Sequence, residues 1–408
     1  MRRHLFLSLT QATFGEMVLG LRVAEDLRSR GDQVDFLAPV ALGHFFADTD
    51  FRHLPVTLTP AMDLESPLRQ VLGQGRYASL VLVDLTCILL TLHQLMIDEG
   101  FLLRLPEPVI ALDLYNMPET DLTVDQGPLS TPLPVLANTF AHRLLPVPFV
   151  RPSCAGAFNA LPQLPPLPAA RRRALREELG LGQQDRLVLL GSSRYQYPEV
   201  QVVKPHERAA RLLPRLVFDR LASLGPRVHV LHLGPQPFTG AEALGDRYHY
   251  RASLPPERFR ELLQSADLQL SFNTGAVTSM SAIAAGVPVL LGINSYAART
   301  LDQLLSLLPS PVSAGFVETL EELVPVYPFR LWPQGYHRFL APLMAGNPCE
   351  QALRTVEVLE EQHLAEACQA LLFDEKERQA VRAGQDSYRR QVQLLPSAGQ
   401  LIAGYAPS

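Results

Sequence analysis

The segment Leu268–Asn294, which reads LQLSFNTGAVTSMSAIAAGVPVLLGIN, decides the fold class of this chain. Apolar and polar residues alternate up to Phe272, which predicts a β-strand. Small residues that are compatible with a helix follow at 276–285, and Gly286 and Pro288 mark the end of that helix before a second buried strand. The order of strand, turn, helix and strand predicts a βαβ unit.

The turn of this unit is a candidate anion-binding site. Thr274 is a good N-cap residue, and Gly275 suits a tight turn. A helix that begins here directs free backbone N–H groups and the positive end of its dipole at any ligand in front of it, and phosphate is the usual ligand. An ordinary βαβ unit that needs Gly275 only for the geometry of its turn explains the same pattern, so both interpretations stay open.

The chain begins with the same rhythm of elements. His4–Leu9 is predicted as a buried strand, Met17–Arg30 as an amphipathic helix and Gln33–Ala38 as a second strand. This order makes a parallel α/β sheet the expected fold. Ligands of such sheets bind at the carboxyl ends of the strands, so the loop at 10–16 is a candidate wall of a site.

The composition is that of a globular protein with more than one domain. The chain has 408 residues, of which 47% are hydrophobic and 19% are charged, which is enough for two domains with buried cores. Its net charge of −5, without a long basic run, argues against a nucleic-acid-binding protein. The four scattered cysteines form no CxxC pair, so we expect no zinc site and no disulfide framework, but reduced thiols in a cytoplasm. The most apolar run, at 80–95, is too short and too polar to span a membrane.

A proline-rich stretch, which includes LPQLPPLP, separates two halves of similar rhythm. The segments 350–372 and 375–395 are predicted as two closing helices. The expected organisation is an N-terminal Rossmann-like domain at 1–150, a linker at 151–170, a C-terminal Rossmann-like domain at 171–372, and a helix and tail at 373–408.

Three short motifs lie next to predicted turns: Gly15-Glu16, Gly191-Ser192, and Thr274–Thr278 together with Ala284–Pro288. They resemble the GT-B glycosyltransferases, among them the bacterial N-acetylglucosaminyltransferase that completes lipid II and the enzymes of natural-product biosynthesis. The resemblance implies two Rossmann-like domains that face each other across a cleft, with the final helices returning to the first domain. It also implies transfer of a sugar from a nucleoside diphosphate to a small-molecule acceptor.

Two positions depart from the pattern of that family. A glutamate that usually holds the nucleotide ribose is replaced by Ser281, whose short neutral side chain cannot make a bidentate contact with the ribose diol. A histidine that often deprotonates the acceptor is replaced by Glu16. A carboxylate can perform the same proton transfer when it is partly desolvated. The alternative is that Glu16 only occupies the first turn of a helix, where its charge suits the dipole.

Acidic and polar residues at predicted strand ends are candidates for the acceptor side. Asp84 lies near the end of the predicted strand 77–85, on the ligand side of the sheet. It is a candidate catalytic residue beside Glu16, which either binds the acceptor or orients the Glu16 carboxylate, and capping of the next helix explains it equally well. The residues expected to contact an acceptor are Thr13, Phe14, Gly15, Asp113, Tyr115 and Asn116.

The second half supplies the candidates for the donor side. The predicted strand 186–190 ends in glycine and hydroxyl residues that suit close approach to a phosphate, and Arg194 can neutralise its charge. A simple turn between strand and loop is the alternative. Helix dipole and arginine can supply the compensating charge, so we expect no metal and no cofactor beyond a nucleotide-sugar co-substrate. The predicted donor-binding residues are Gly191, Ser192, Ser193, Arg194, His232, Gly234, Asn273, Thr274, Gly275, Ala276, Thr278 and Ser281.

Three functional classes are compatible with these residues, each with a nucleotide or other phosphorylated small molecule in the cleft. The first is metal-independent glycosyl transfer. The second is a non-catalytic GT-B-like protein that activates a partner enzyme, and it is suggested by the absence of both the ribose-binding glutamate and the acceptor histidine. A homodimer is a further expectation. The third is another enzyme on this scaffold, such as a nucleotide-sugar epimerase that uses Glu16, Asp84 and Asp113.

Overall fold

A computed structural model of the chain describes residues 1–10, 15–116, 123–124, 131–132, 139–148, 150–200, 204–252, 254–273, 276–296, 298–324 and 344–405. The chain forms two compact units. Unit 1 comprises Met1–Val124, Ser130–Ala160 and Gln391–Ser408, and unit 2 comprises Asp125–Leu129 and Leu161–Arg390. The predicted linker at 151–170 contains the division after Ala160.

The described strands are β1 (Arg3–Leu7), β2 (Gln33–Pro39), β3 (Arg52–Val56), β4 (Ser79–Leu82), β5 (Val109–Leu112), β6 (Thr123–Val124), β7 (Thr131–Pro132), β8 (His142–Pro146), β9 (Ala157–Phe158), β10 (Arg186–Gly191), β11 (Val228–Leu233), β12 (Tyr248–Arg251), β13 (Leu268–Ser271), β14 (Val289–Ile293) and β15 (Arg354–Glu357).

The described α-helices are α1 (Gly15–Ser29), α2 (Glu65–Gly75), α3 (Leu85–Gln94), α4 (Ala169–Glu178), α5 (Lys204–Ser223), α6 (Pro256–Ser265), α7 (Val277–Ala285), α8 (Leu301–Leu307), α9 (Ala314–Leu323), α10 (His363–Phe373), α11 (Glu375–Val392) and α12 (Ala398–Tyr405). None of these helices has both the length and the apolar character that crossing a membrane requires.

Unit 1 is built on a seven-stranded sheet with the order β3-β2-β1-β4-β5-β8-β9, in which all neighbouring strands are parallel. Leu5, Phe6 and Leu7 of β1 are fully buried, as expected for a strand that is covered on both faces. The strand order reverses between β1 and β4. Ligands of open parallel sheets bind at the carboxyl ends of strands beside such a reversal.

The last helix, α12, packs on unit 1. The backbone N–H of Gly399 donates to Asp26 Oδ2 at 2.6 Å, and the Tyr405 hydroxyl donates to the carbonyl oxygen of Arg143 at 3.2 Å. These contacts confirm the expected return of the C-terminal residues to the first half of the chain.

Unit 2 is built on a six-stranded parallel sheet with the order β12-β11-β10-β13-β14-β15. The segment Leu268–Asn294 supplies β13, α7 and β14, as its pattern predicts. The strand order reverses between β10 and β13, so the carboxyl end of β10 lies at the reversal. Together with the sheet of unit 1, this sheet confirms the predicted fold of two parallel α/β domains.

The segment 350–372 is not one helix, as predicted, but contains β15 followed by α10. Strand β15 extends the sheet, with Arg354 opposite Leu290 of β14. Val356 and Val358 are buried. Most residues of this segment favour a helix, and pairing with the edge of the sheet overrides that local preference.

The proline-rich stretch also contains strand structure that the sequence pattern did not indicate. Strands β8 and β9 form one edge of the unit 1 sheet, and β9 lies within the predicted linker. The backbone N–H of Leu145 donates to the carbonyl oxygen of Gly156 at 2.9 Å. A strand of two residues has no detectable period, so only its pairing reveals it.

Tyr388 of α11 provides a test of the packing of unit 2. It is 1% exposed, and its hydroxyl has no hydrogen-bond partner among the residues that the structure describes. A buried hydroxyl without a partner carries a desolvation cost, so Tyr388→Phe is expected to raise the free energy of unfolding by about 1 kcal/mol. Urea unfolding followed by circular dichroism measures this change. The matched control is Tyr250→Phe, because the Tyr250 hydroxyl donates to the carbonyl oxygen of Gly234, and that variant is expected to lose stability. A loss of stability in Tyr388→Phe would show that its hydroxyl has a partner.

Candidate functional site

Glu16 and Asp84 come together in unit 1 at the carboxyl edge of the sheet. Glu16 lies in the first turn of α1, and Asp84 follows β4. Gly20, one turn after Glu16, allows α1 to approach the sheet closely, because a Cβ at Gly20 would lie 2.8 Å from the Val83 side chain. One carboxylate oxygen of each acid and the sulfur of Cys87 all lie within 4.8 Å of one another. The two catalytic candidates, Glu16 and Asp84, are therefore neighbours.

Asp84 is also the N-cap of α3. Its Oδ1 accepts the backbone N–H of Cys87 at 3.0 Å, and its backbone has φ of +64°, which is uncommon for a residue with a side chain. The capping role that the sequence left open is thus confirmed. The cap holds the carboxyl group against the end of the sheet, which is where it meets Glu16.

Burial gives Asp84 an unusual proton affinity. Asp84 is 1% exposed, and this desolvation is the main cause that raises its pKa to about 7. The negative charges of Glu16 and Asp113 also raise the pKa. Near neutral pH this carboxyl group is therefore present both with and without its proton. A group with this property beside a second carboxylate suits general acid–base chemistry.

Asp113 and Asn116, two of the remaining acceptor-side candidates, are held by an arginine that sequence reasoning missed. Arg143 Nη1 lies 3.3 Å from Asp113 Oδ2 and donates to Asn116 Oδ1 at 3.1 Å. Asp113 Oδ1 accepts the backbone N–H of Tyr115 at 3.1 Å. Arg143 lies on β8, whose pairing with β5 brings it to Asp113. Gly15 is the first residue of α1, and Thr13 and Phe14 lie outside the described residues.

The acids and the thiol at Glu16, Asp84 and Cys87 form the one cluster of three potential metal ligands found in the described part of the chain. The sequence offered no spacing that indicates this cluster, because the three side chains come from two different helices. The expectation of metal-free chemistry stays a prediction.

In unit 2, the turn before α7 differs from the predicted one. The N-cap is Ala276, which has no side-chain acceptor, so the prediction of Thr274 as N-cap is wrong. Thr274 and Gly275 lie outside the described residues. Asn273 is held from the preceding strand, because Ser271 Oγ donates to its carbonyl oxygen at 3.0 Å and accepts its N–H at 3.2 Å.

The end of β10 meets the first turn of α7. A Cβ at Gly191 would lie 3.6 Å from the methyl group of Thr278, so these two predicted donor residues are neighbours. Ser281, one turn further along α7, is 2% exposed, and its hydroxyl donates to the carbonyl oxygen of Val277 at 3.1 Å. That hydroxyl is therefore turned into the helix, whereas the first turn of α7 lies at the carboxyl edge of the sheet.

His232 is the centre of a buried chain of hydrogen bonds beside that edge. Its Nε2 lies 2.7 Å from Ser192 Oγ, and its Nδ1 lies 2.5 Å from the hydroxyl of Tyr248. Ser192 Oγ in turn lies 2.7 Å from the hydroxyl of Tyr197. The imidazole is fully buried and stacks on Phe238, with ring centroids 4.5 Å apart. The chain joins the loop after β10 to β11 and β12.

The two ends of the chain determine its direction. The Tyr197 hydroxyl donates to the carbonyl oxygen of Gln236 at 2.6 Å, and the backbone N–H of Phe238 donates to the Tyr248 hydroxyl at 3.1 Å. Each hydroxyl has one proton to donate. All donors are used when Tyr248 donates to Nδ1 of the imidazole, Nε2–H donates to Ser192, and Ser192 donates to Tyr197. The network therefore assigns the neutral Nε2–H tautomer.

This direction is opposite to the one that a nucleophilic serine activated by His232 requires. Burial lowers the pKa of His232 to about 3, which makes it a poor base near neutral pH. In the assigned tautomer the imidazole donates to Ser192 and does not accept its proton. Gly234 is confined by the same chain, because a Cβ there would lie 2.0 Å from Ser192 Oγ. Ser192, His232 and Gly234 thus shape the loop.

Arg194 is the exposed member of the predicted donor loop. It begins a short 3₁₀-helix, Arg194–Gln196, and its side chain is exposed. Ser193 precedes it and donates its backbone N–H to Gln196 Oε1 at 2.7 Å. Tyr197 and Tyr248, which complete the chain around His232, were missed, because they lie in separate segments that carry no motif.

A family comparison assigns the chain. The sequence profile of a family of unknown function, DUF6365, matches residues 23–405. The chain belongs to DUF6365. No curated protein matches its sequence.

Solved structures share the fold of this DUF6365 protein over nearly its whole length. The Anabaena protein Alr3699/HepE, in complex with UDP-glucose, is 13% identical, with 100% of this chain and 98% of that chain covered and a TM-score of 0.56. A Listeria monocytogenes protein described as a UDP-N-acetylglucosamine 2-epimerase is 12% identical, with 98% and 94% covered and a TM-score of 0.53. The glycosyltransferase VinC, in complex with dTDP, is 14% identical, with 99% and 98% covered and a TM-score of 0.51. At these identities the likeness establishes the two-sheet α/β fold, which is that of GT-B glycosyltransferases.

The raised pKa of Asp84 predicts how stability depends on pH. In the folded state Asp84 keeps its proton up to about pH 7, whereas in the unfolded state it loses the proton near pH 4. The free energy of unfolding of wild type is therefore expected to fall, relative to that of Asp84→Asn, as pH rises from about 4 to about 7. The slope is at most about 1.4 kcal/mol per pH unit. Asparagine tolerates the positive φ and keeps an oxygen for the cap. Urea unfolding at a series of pH values measures the difference.

Asp98→Asn is the matched control, because Asp98 also caps a helix, with Gly100, but is exposed. Hydrogen bonds from Arg104 and Gly100 lower its pKa, so wild type is expected to lose stability relative to this variant only as pH falls below about 4. Equal slopes for the two variants would contradict the assigned burial effect.

Proposed function

We propose that this DUF6365 protein is a glycosyltransferase that transfers a sugar from a nucleoside-diphosphate donor to a small-molecule acceptor. The observation that carries the proposal is the meeting of Gly191 with the first turn of α7 at Thr278, at the reversal of the strand order in unit 2. Two features suited to a diphosphate come together there. One is a strand that ends in glycine, which leaves room for a ligand, and the other is the amino end of a helix.

The charge at this edge supports binding of an anion. The first turn of α7 contains no acidic residue, and the exposed guanidinium of Arg194 lies three residues after Gly191. Helix dipole and guanidinium stabilise the charge that develops on a diphosphate as its bond to the sugar breaks. HepE and VinC were solved with UDP-glucose and dTDP, ligands of the class that we propose for this chain.

Glu16 is proposed as the base on the acceptor side. Its carboxylate takes the proton of an acceptor hydroxyl while that oxygen forms a bond to the anomeric carbon, and the diphosphate leaves with the bonding electrons. Asp84, whose pKa is raised to about 7, reduces the repulsion between the two acids when it holds its proton. No step in this scheme requires a metal ion.

The donor site is tested by substitution of Gly191. Gly191→Val places methyl groups against Thr278, so affinity for the donor nucleotide is expected to fall by about 10-fold or more, whereas Gly191→Ala makes an ordinary contact at 3.6 Å and is expected to bind as wild type. Thermal unfolding with UDP, dTDP, GDP and their sugars measures binding, since a ligand at 100 times its Kd stabilises the folded state by about 2.7 kcal/mol. Absence of a shift in wild type with every nucleotide would refute the donor assignment and favour the non-catalytic class. Equal binding by the valine variant would refute the site.

The base is tested by Glu16→Gln. This variant keeps the size and polarity of the side chain but cannot accept a proton, so turnover is expected to fall by about 100-fold with little change in nucleotide binding. Release of nucleoside diphosphate in the presence of acceptors measures turnover, and thermal shifts measure binding. Asp98→Asn serves as a control that removes a carboxylate from the same unit outside the cluster. Unchanged turnover in Glu16→Gln would remove Glu16 from the mechanism.

A second candidate function is epimerisation of a nucleotide sugar. The cluster of Glu16 and Asp84, with Asp113 next to it, supplies the several acidic groups that proton transfer at a sugar carbon requires. The likeness to the Listeria protein points to the same class. Incubation of the donor sugar in deuterated water separates the two. Isomerised, deuterated sugar without an acceptor identifies an epimerase, and transfer only with an acceptor identifies a transferase.

We also propose a cytoplasmic location, in a bacterial biosynthetic pathway. The scattered cysteines of the sequence, which form no disulfide framework, support this location. A homodimer or a partner enzyme stays a prediction from the sequence.

A further inference from the structure

The loop after β10 is closed by its own side chains. Ser192 and Tyr197 lie on either side of Arg194, and their hydroxyl oxygens are 2.7 Å apart. Gln196 reinforces the closure, because its Oε1 accepts the N–H of Ser193 at 2.7 Å. Gln196 and Tyr197 are both buried, whereas Arg194 is exposed. The exposed Arg194 side chain is therefore carried by a loop whose neighbouring residues are held in place.

The anchor extends to the neighbouring strands. Ser192 Oγ meets His232 of β11, and the Tyr197 hydroxyl donates to the carbonyl oxygen of Gln236. On the other side of His232, the hydroxyl of Tyr248 accepts a hydrogen bond from the backbone N–H of Phe238. Every side-chain donor in this network of hydrogen bonds has one acceptor when the imidazole is neutral. A satisfied buried network of this kind has one arrangement and resists distortion.

We propose that Tyr197, His232 and Tyr248 are positioning residues that hold Arg194 in place for a diphosphate. This inference rests on the donor site of the proposed function and adds residues that touch no ligand themselves. Their role is to remove conformational freedom from the loop before the ligand binds. An arginine on a loop that must first become ordered loses affinity, because the ordering opposes binding.

The chain of bonds determines which substitutions interrupt it. Tyr197→Phe removes the bond to Gln236 and the acceptor of the Ser192 proton, and leaves the buried ring in place. Tyr248→Phe interrupts the chain at the other side of His232. Tyr250→Phe is the matched control, since its hydroxyl donates to the carbonyl oxygen of Gly234 and is not part of the chain.

A double-mutant cycle distinguishes positioning from general loss of structure. Isothermal calorimetry with pyrophosphate and with UDP and dTDP is applied to wild type, Arg194→Ala, Tyr197→Phe and the double variant. We expect Arg194→Ala to weaken binding by about 10-fold, as for loss of a charge-assisted contact, and Tyr197→Phe by about 5-fold. In the Arg194→Ala background, Tyr197→Phe is expected to change affinity by less than about 2-fold, because its effect passes through the guanidinium.

Two further variants complete the test. Tyr248→Phe is expected to reproduce the dependence on Arg194 and serves if Tyr197→Phe does not fold, as judged by circular dichroism. Tyr250→Phe is expected to leave affinity unchanged in both backgrounds. Substitutions that only loosen the fold would lower affinity equally with and without Arg194.

The outcomes separate this inference from the proposed function. The positioning role alone is overturned if Tyr197→Phe lowers affinity equally with and without Arg194. It is also overturned if neither Tyr197→Phe nor Tyr248→Phe lowers affinity. Binding that survives Arg194→Ala unchanged also overturns it and leaves the donor site without this arginine. Wild type that binds neither pyrophosphate nor any nucleotide overturns both.

Discussion

Parallel pairing of β10 with β11 and β13 is the constraint on which the unit 2 site depends. Because the strands run in one direction, their carboxyl ends meet at one edge, and residues far apart in sequence become neighbours there. Ser192 and His232 are 40 residues apart and share a hydrogen bond. Gly191 meets Thr278 across the same edge. The strand order reverses at this point, which opens the edge to a ligand.

The two units treat buried titratable groups in opposite ways. In unit 2, His232 is neutral and each of its ring nitrogens has a partner, so its burial produces a rigid network. In unit 1, Asp84 is buried beside Glu16 and Asp113, and its pKa is raised to about 7. A closed network suits the holding of a loop, whereas a carboxyl group whose pKa lies near neutral suits a site of proton transfer. This physical difference is the basis for proposing a positioning role for His232 and, for Asp84, a protonated state that accommodates the proposed base Glu16.

Predictions from sequence were accurate where a long periodic segment has one stable arrangement. Met17–Arg30 is predicted as a helix and α1 spans Gly15–Ser29, and Gln33–Ala38 is predicted as a strand and β2 spans Gln33–Pro39. They failed where pairing decides, as in β15, which lies in a segment whose other residues mostly favour a helix, and in β9, which is too short for a pattern. Thr274 was predicted as a cap on its residue type, and the helix begins after Ala276 instead. A cap contributes only about 1 kcal/mol, so residue type alone does not fix the residue at which a helix begins.

The sequence by itself determined two parallel α/β domains, because their strands and helices follow from hydrophobic periodicity and from glycine and proline positions. It also predicted the carboxyl ends of the strands as the candidate ligand-binding edges. It also identified Glu16 and Asp84 as residues of one edge. Only the tertiary structure decided that their carboxylates are neighbours, that Arg143 holds Asp113 and Asn116, and that His232 joins Ser192 to Tyr248. Proximity and proton affinity depend on burial and on contacts between distant segments, and no local pattern encodes these.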